Sequence, residues 1–205
     1  VVNTLLPDDI ESFPWAGYLG IKLLDKCLPV IHKSGSTLIF TNTRSQAEIW
    51  YQHLLAADPN LAGQIAMHHG SISGEIRGWI EEALHAGKLK VVVCTSSLDL
   101  GVDFRPVDTV IQIGSPKGVA RFVQRAGRSG HHPGAVSTIW LLPTNSLELV
   151  DASALKAAIS EKRVESRMPV VRAFDVLIQY LITLAVSDGF DPKQIYAEIR
   201  QTHCF

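Results

Sequence analysis

Between Lys117 and Arg128 the chain places four cations, Lys117, Arg121, Arg125 and Arg128, in 12 residues that hold no acid. Spacings of four and three put the arginines along one face of a helix. Gly127, Gly130 and Gly134 then interrupt the helix where Arg128 emerges, so its guanidinium stands on a turn that allows close backbone approach to a ligand. A solvated basic stripe near a helix C-terminus is the commoner use of such residues. The glycines favour the alternative, a phosphate-contacting arginine at 128.

Three further segments carry polar groups suited to anions. Thr41-Asn42-Thr43-Arg44-Ser45 offers hydroxyls, an amide and a cation at a helix entrance, where capping or phosphate binding would both use them. His68-His69-Gly70-Ser71 pairs two histidines whose side chains point to opposite sides, with no Cys, Asp or Glu near in sequence, so no metal site is expected. A Gly-Ser turn exposing backbone N–H groups to an anion fits better. Thr95-Ser96-Ser97-Leu98-Asp99-Leu100-Gly101-Val102-Asp103 joins three hydroxyls to a glycine and two carboxylates. It reads either as a capped turn with solvated acids or as a further phosphate-binding turn.

The elements that must position these segments follow from the apolar pattern. Residues 37–41, 64–68, 90–94 and 109–113 are short runs rich in β-branched residues, and helical stretches are expected over 45–57, 74–86 and up to about 125. Strands buried on both faces that alternate with helices predict a parallel sheet covered by helices, a doubly wound α/β fold. Ligands of such sheets bind at the carboxyl ends of the strands, which is where the polar segments fall. Three such turns at successive strand ends point to an extended polyanion crossing the sheet edge. Residues 1–35 read as an entry segment with a helix over 17–32, and 136–142 as a further strand. From 146 the pattern is helical, over 147–160, 174–186 and 192–201, so the expected domains are 1–145 and 146–205.

Composition narrows the class. The 205 residues are 46% hydrophobic and 19% charged, which excludes a disordered or low-complexity chain. With 19 basic and 20 acidic residues the net charge is −1, so any binding site for an anion must come from local placement. Three scattered cysteines form neither a disulfide framework nor a zinc knuckle. A reducing, cytoplasmic setting is expected. No apolar run reaches the roughly 18–20 residues of a membrane span. The start, without a methionine, reads as a piece of something longer.

Taken together, the segments resemble the second RecA-like lobe of superfamily 2 helicases. The stretch 37–44 is similar to motif IV, 95–103 to motif V, and Gln124-Arg125-Ala126-Gly127-Arg128-Ser129-Gly130 to motif VI. His68-His69-Gly70-Ser71, Gly114-Ser115-Pro116-Lys117 and Gly130-His131 resemble the large helicase-related (Lhr) family. Phe13-Pro14-Trp15-Ala16-Gly17 and Val164-Glu165-Ser166-Arg167 resemble its ligase-associated DExH-box branch. The fold class implied is a RecA-like parallel sheet with helices on both faces, followed by the helical start of a winged-helix domain.

The resemblance implies one lobe of an ATP-dependent DNA helicase, with ATP hydrolysed against a first RecA-like lobe of the same full-length chain. Arg128 corresponds to an arginine finger with Arg125 beside it. Gly101, Asp103, Gln124, Arg125 and Arg128 correspond to nucleotide-side positions. Thr41, Asn42, Arg44, His69, Gly70, Ser71, Thr95 and Ser96 would line single-stranded or partly duplex nucleic acid. His131 stands where many members carry a further arginine. No G-x-x-x-x-G-K-[ST] loop and no D-E-x-H box occurs in the sequence, so the Mg²⁺ ligands are expected in the first lobe and the fragment alone is expected to be inactive. DNA repair proteins including a ligase are the implied partners, with no membrane. An RNA or hybrid helicase and a passive nucleic-acid-binding module are the alternatives.

Overall fold

The computed structural model describes residues 1–9, 13–17, 19–99, 107–130, 136–166 and 170–205. In chain order the elements are β1 (Val2–Thr4), α1 (Leu24–Lys33), β2 (Thr37–Phe40), α2 (Arg44–Ala57), β3 (Ile65–His68) and α3 (Gly74–His85). β4 (Val91–Cys94), β5 (Thr109–Ile113), α4 (Val119–Ala126), β6 (Ile139–Leu142) and α5 (Leu147–Ser160) complete the first compact unit, Val1–Glu165. The six strands form one sheet in the order β1-β6-β5-β2-β4-β3, every neighbouring pair parallel.

Strand alternation explains the layers. Leu38 and Phe40 of β2, Val92 and Cys94 of β4, and Val110 of β5 face one way and pack with Ile80, Ala83 and Leu84 of α3, Phe122 of α4, and Ala152 and Leu155 of α5. Ile39, Val91, Val93, Ile111 and Ile113 face the other way, against Leu24, Cys27 and Ile31 of α1 and Ala47, Trp50 and Leu54 of α2. All residues of β2, β4 and β5 are buried. Burial also pushes the Cys27 and Cys94 thiols well above their ordinary range. This is the expected parallel sheet with helices on both faces.

Three details differ from the expectation. β1 lies within the supposed entry segment. It is three half-buried residues paired to β6 at the sheet edge, too short for any periodicity to announce it. The helix expected over 17–32 begins only with a 3₁₀ turn at Ile21–Leu23. Trp50 Nε1 donates to the Leu19 carbonyl at 2.5 Å, tying that entry to the core. The compact unit also runs past 145 to Glu165, because α5 contributes Ala152 and Leu155 to the core instead of starting the next unit.

The second unit, Ser166–Phe205, contains α6 (Phe174–Val186) and α7 (Pro192–Ile199). Tyr180 donates from its hydroxyl to Glu198 at 2.9 Å, and the Phe174 and Phe205 rings lie 5.6 Å apart. No helix of the described residues is long and apolar enough to cross a membrane.

Candidate nucleotide and nucleic-acid surface

Sheet register sets the surface. His68, Cys94, Phe40 and Gln112 are consecutive partners across β3, β4, β2 and β5. The strands therefore end level, and the turns after β2, β3 and β4 share one edge.

The turn after β2 is built by capping. Thr43 Oγ1 accepts from the Gln46 N–H at 3.1 Å, and Gln46 Oε1 accepts from the Asn42 N–H at 3.0 Å. Asn42 is exposed and donates from Nδ2 to the Ser115 carbonyl at 3.0 Å, linking this turn to the one after β5. Arg44 is exposed, with Nε donating to Glu48 at 2.7 Å. Glu48 is held below its ordinary pKa by that hydrogen bond. Thr41 departs from its expected role: it is 1% exposed, and its hydroxyl lies against the Cys94 and Thr43 carbonyls at 3.2 and 3.1 Å. It supports the turn from beneath.

After β3, Gly70 and Ser71 are exposed while both histidines are buried. The Ser71 N–H donates to His69 Nδ1 at 3.3 Å, which leaves the ring proton on Nε2. That nitrogen has no hydrogen-bond partner among the described residues and stands 3.9 Å from Glu48. His68 is bound at both nitrogens, to Ser97 Oγ at 2.7 Å and Glu81 Oε1 at 3.0 Å. Desolvation holds its pKa below the ordinary 6.5, the Glu81 hydrogen bond opposing it. Thr95 is half-buried and Ser96 exposed at the end of β4.

The arginines converge on one residue, Asp99. Arg125 donates from Nε to Asp99 Oδ1 at 2.7 Å and from Nη2 to Oδ2 at 3.1 Å. Gln112 Nε2 donates to the Ile113 and Gly114 carbonyls at 2.9 and 3.1 Å, which turns its Oε1 toward Arg125 Nη1 at 2.5 Å. The guanidinium also lies over the Phe40 ring, 4.6 Å from its centroid. With a side chain 2% exposed, Arg125 faces the interior; the nucleotide contact and catalytic role expected of it are not what this geometry offers. Arg121 Nε approaches Asp99 Oδ2 at 3.6 Å, and Arg128 Nη2 donates to the Asp99 main-chain oxygen at 2.6 Å. The common arginine face expected from the spacing is thus present, and it meets Asp99, which neither reading of the 95–103 turn paired with an arginine. The clue lay in the acid-free cation run itself, since buried cations need an acid from elsewhere in the chain.

The turn carrying Arg128 is braced on both sides. Val107 N–H donates to the Arg128 carbonyl at 3.0 Å, and Ser129 Oγ bonds the Ala126 and Thr138 carbonyls and the Thr138 N–H at 2.8–3.1 Å. Gly130 has φ +74°, and a Cβ there would lie 2.6 Å from the Ser137 nitrogen, so both conformation and space require glycine. Gln124 is exposed on α4. Gly101, Asp103 and His131 lie outside the described residues.

A parallel sheet in this order, with polar turns level at its strand ends and an arginine-bearing helix beside them, defines the class: a RecA-like lobe. Residues 20–132 match the helicase conserved C-terminal domain family, and residues 157–205 match the winged helix domain of the large helicase-related protein. The chain is 36% identical over 203 residues to the ATP-dependent helicase Lhr-Core protein 2 of Thermococcus barophilus, covering 99% of this chain and 23% of that protein. It is 33% identical to the Lhr helicase/uracil glycosylase of Escherichia coli, covering 90% of this chain and 14% of that protein. The solved structure of the Mycobacterium smegmatis helicase Lhr bound to ssDNA and AMP-PNP superposes with a TM-score of 0.81 at 27% identity, over 97% of this chain and 26% of that one. This chain belongs to the Lhr family of superfamily 2 helicases, as a helicase C-terminal lobe with the Lhr winged-helix sequence following it. It spans about a quarter or less of the length of these relatives.

Proposed function

We propose that this chain is the second motor lobe of an ATP-dependent DNA helicase. It supplies an arginine finger, Arg128, and single-strand contacts to a machine whose first lobe lies elsewhere in the full-length protein. The observation that carries this is the placement of Arg128: half-buried, on a glycine-bounded turn, with its guanidinium steadied by the Asp99 carbonyl. A cation held in this way needs little reorganisation to stabilise charge developing on a transferred phosphoryl group. Arg125, locked inward, positions that turn.

Asn42, Arg44, Gly70, Ser71 and Ser96 line the exposed strand-end turns, where phosphate contacts would hold a strand without reading its sequence. His69 lies buried beneath them, its Nε2 3.9 Å from Glu48. The relative bound to ssDNA and AMP-PNP supports DNA as the strand and ATP as the nucleotide. The sequence carries no G-x-x-x-x-G-K-[ST] loop, and in this reading the Mg²⁺ that accompanies ATP is held by groups of the first lobe.

The test is Arg128→Ala in the full-length protein. Nucleic-acid-stimulated ATP turnover should fall by about 10³-fold or more, with the affinity for ATP changed far less. Near-normal turnover would overturn the assignment.

A further inference from the structure

Glu165 is the last residue of the first compact unit, and its carboxylate sits on the N-terminus of α4. Oε2 accepts from the Val119 N–H at 3.0 Å and the Ala120 N–H at 3.1 Å, and Oε1 lies 3.3 Å from the same Ala120 nitrogen. The N-cap position of α4 is Gly118, which brings no side-chain acceptor of its own. First-turn amides that no helix carbonyl can reach are therefore met by an acid 45 and 46 residues further along the chain. Negative charge at that end also complements the helix dipole.

The site is shaped for this side chain. Gly118 has φ +132°, and a Cβ there would overlap Glu165 Oε1. Residues 163–166 belong to no helix or strand, so the carboxylate contributes what regular structure does not in fixing this segment.

α4 carries Arg121 and Arg125 and leads directly into the turn of Arg128. Its far end is fixed through Val107, Ser129 and Thr138. Its near end is held by Glu165. We infer that Glu165 is a positioning residue for the arginine helix: it sets the depth at which Arg125 and Arg128 meet Asp99, and it pins the point where the chain leaves the lobe to the helix that bears them. The consequence for turnover rests on the helicase reading above; the cap itself does not.

The experiment compares full-length wild type with Glu165→Ala, Glu165→Gln and Gly118→Ala, by amide hydrogen exchange over α4 and by steady-state ATPase with single-stranded DNA. In Glu165→Ala the first-turn amides of α4 should exchange about fivefold faster or more, while β2 and β4 amides are unchanged. Turnover should fall about five- to tenfold with KM for ATP unaltered, as expected when a transition-state contact is misaimed and binding is kept. Glu165→Gln retains an acceptor oxygen and should lie between, and Gly118→Ala, which displaces the carboxylate, should resemble Glu165→Ala. Unchanged exchange over α4 would overturn the cap. Faster exchange with wild-type turnover would overturn the positioning role. Normal turnover in Arg128→Ala alongside faster α4 exchange in Glu165→Ala would remove the helicase reading and uphold the cap.

Discussion

Arg125 and Arg44 are both arginines on helices that flank the same sheet, and they are used in opposite ways. Arg125 is 2% exposed and engages Asp99 through two nitrogens, Gln112 through a third and the Phe40 ring by its face. Arg44 is 60% exposed and holds one carboxylate four residues along its own helix. A buried pair of this kind gives up hydration and gains a fixed geometry. An exposed i,i+4 pair is worth a few tenths of a kcal/mol and can exchange its partner for a phosphate. The lobe therefore has a side around α4 whose buried cation is fixed in geometry and a side around the turn after β2 whose exposed cation can change partner; under the proposed function the first aims a charge and the second holds a moving strand.

The comparison breaks most visibly at Asp99. Asp99→Ala leaves Arg125 buried without its acid and should lower the protection of β2, β4 and β5 amides by about 3–5 kcal/mol, read by native-state hydrogen exchange. A loss below about 1 kcal/mol would mean that the rigid side is not rigid.

A smaller effect sharpens the boundary between the two sides. His68 lies buried under the adaptable turns with its pKa below 6.5. Above that pH both the folded and unfolded imidazole are neutral. As pH falls below about 6.5 the unfolded chain takes up a proton that the folded chain resists, so stability declines by at most about 1.4 kcal/mol per pH unit from this group. Imidazole NMR should give a midpoint for His68 below 6.5; a midpoint above it would mean that the Glu81 hydrogen bond outweighs the cost of burial.

Smallest in stability is Arg44→Ala, which should stay within about 0.5 kcal/mol of wild type. Its effect should instead appear in binding, as a uniform weakening across sequences with the salt dependence reduced by about one counterion. A sequence-dependent loss would contradict a phosphate contact.

Most of the fold was legible because β2, β4 and β5 are continuous apolar runs and α2 and α3 carry capped, periodic sequences. β1 was not, since three half-buried residues gain strand character only by pairing with β6. α5 was readable as a helix, but its allegiance was set by packing of Ala152 and Leu155, which no local pattern reports. In the site, exposed members such as Asn42, Arg44 and Ser71 stand where the turn pattern placed them. Thr41 and Arg125 turned inward because their partners, Cys94 and Thr43 for one and Asp99 and Gln112 for the other, meet them through backbone turning or sheet register and sequence spacing did not reveal them. Glu165 was noted only as part of a resemblance, and its role depends on a contact 45 residues away.

Under the proposed function, Asp99 and Arg125 serve turnover through Arg128. The most direct measurement is a double-mutant cycle in the full-length protein, Asp99→Asn with Arg128→Ala, read by single-turnover ATP hydrolysis with single-stranded DNA bound. If the network acts by aiming Arg128, Asp99→Asn should slow the wild type by about tenfold or more yet cost less than about twofold once Arg128 is gone. Fully additive losses would contradict the account.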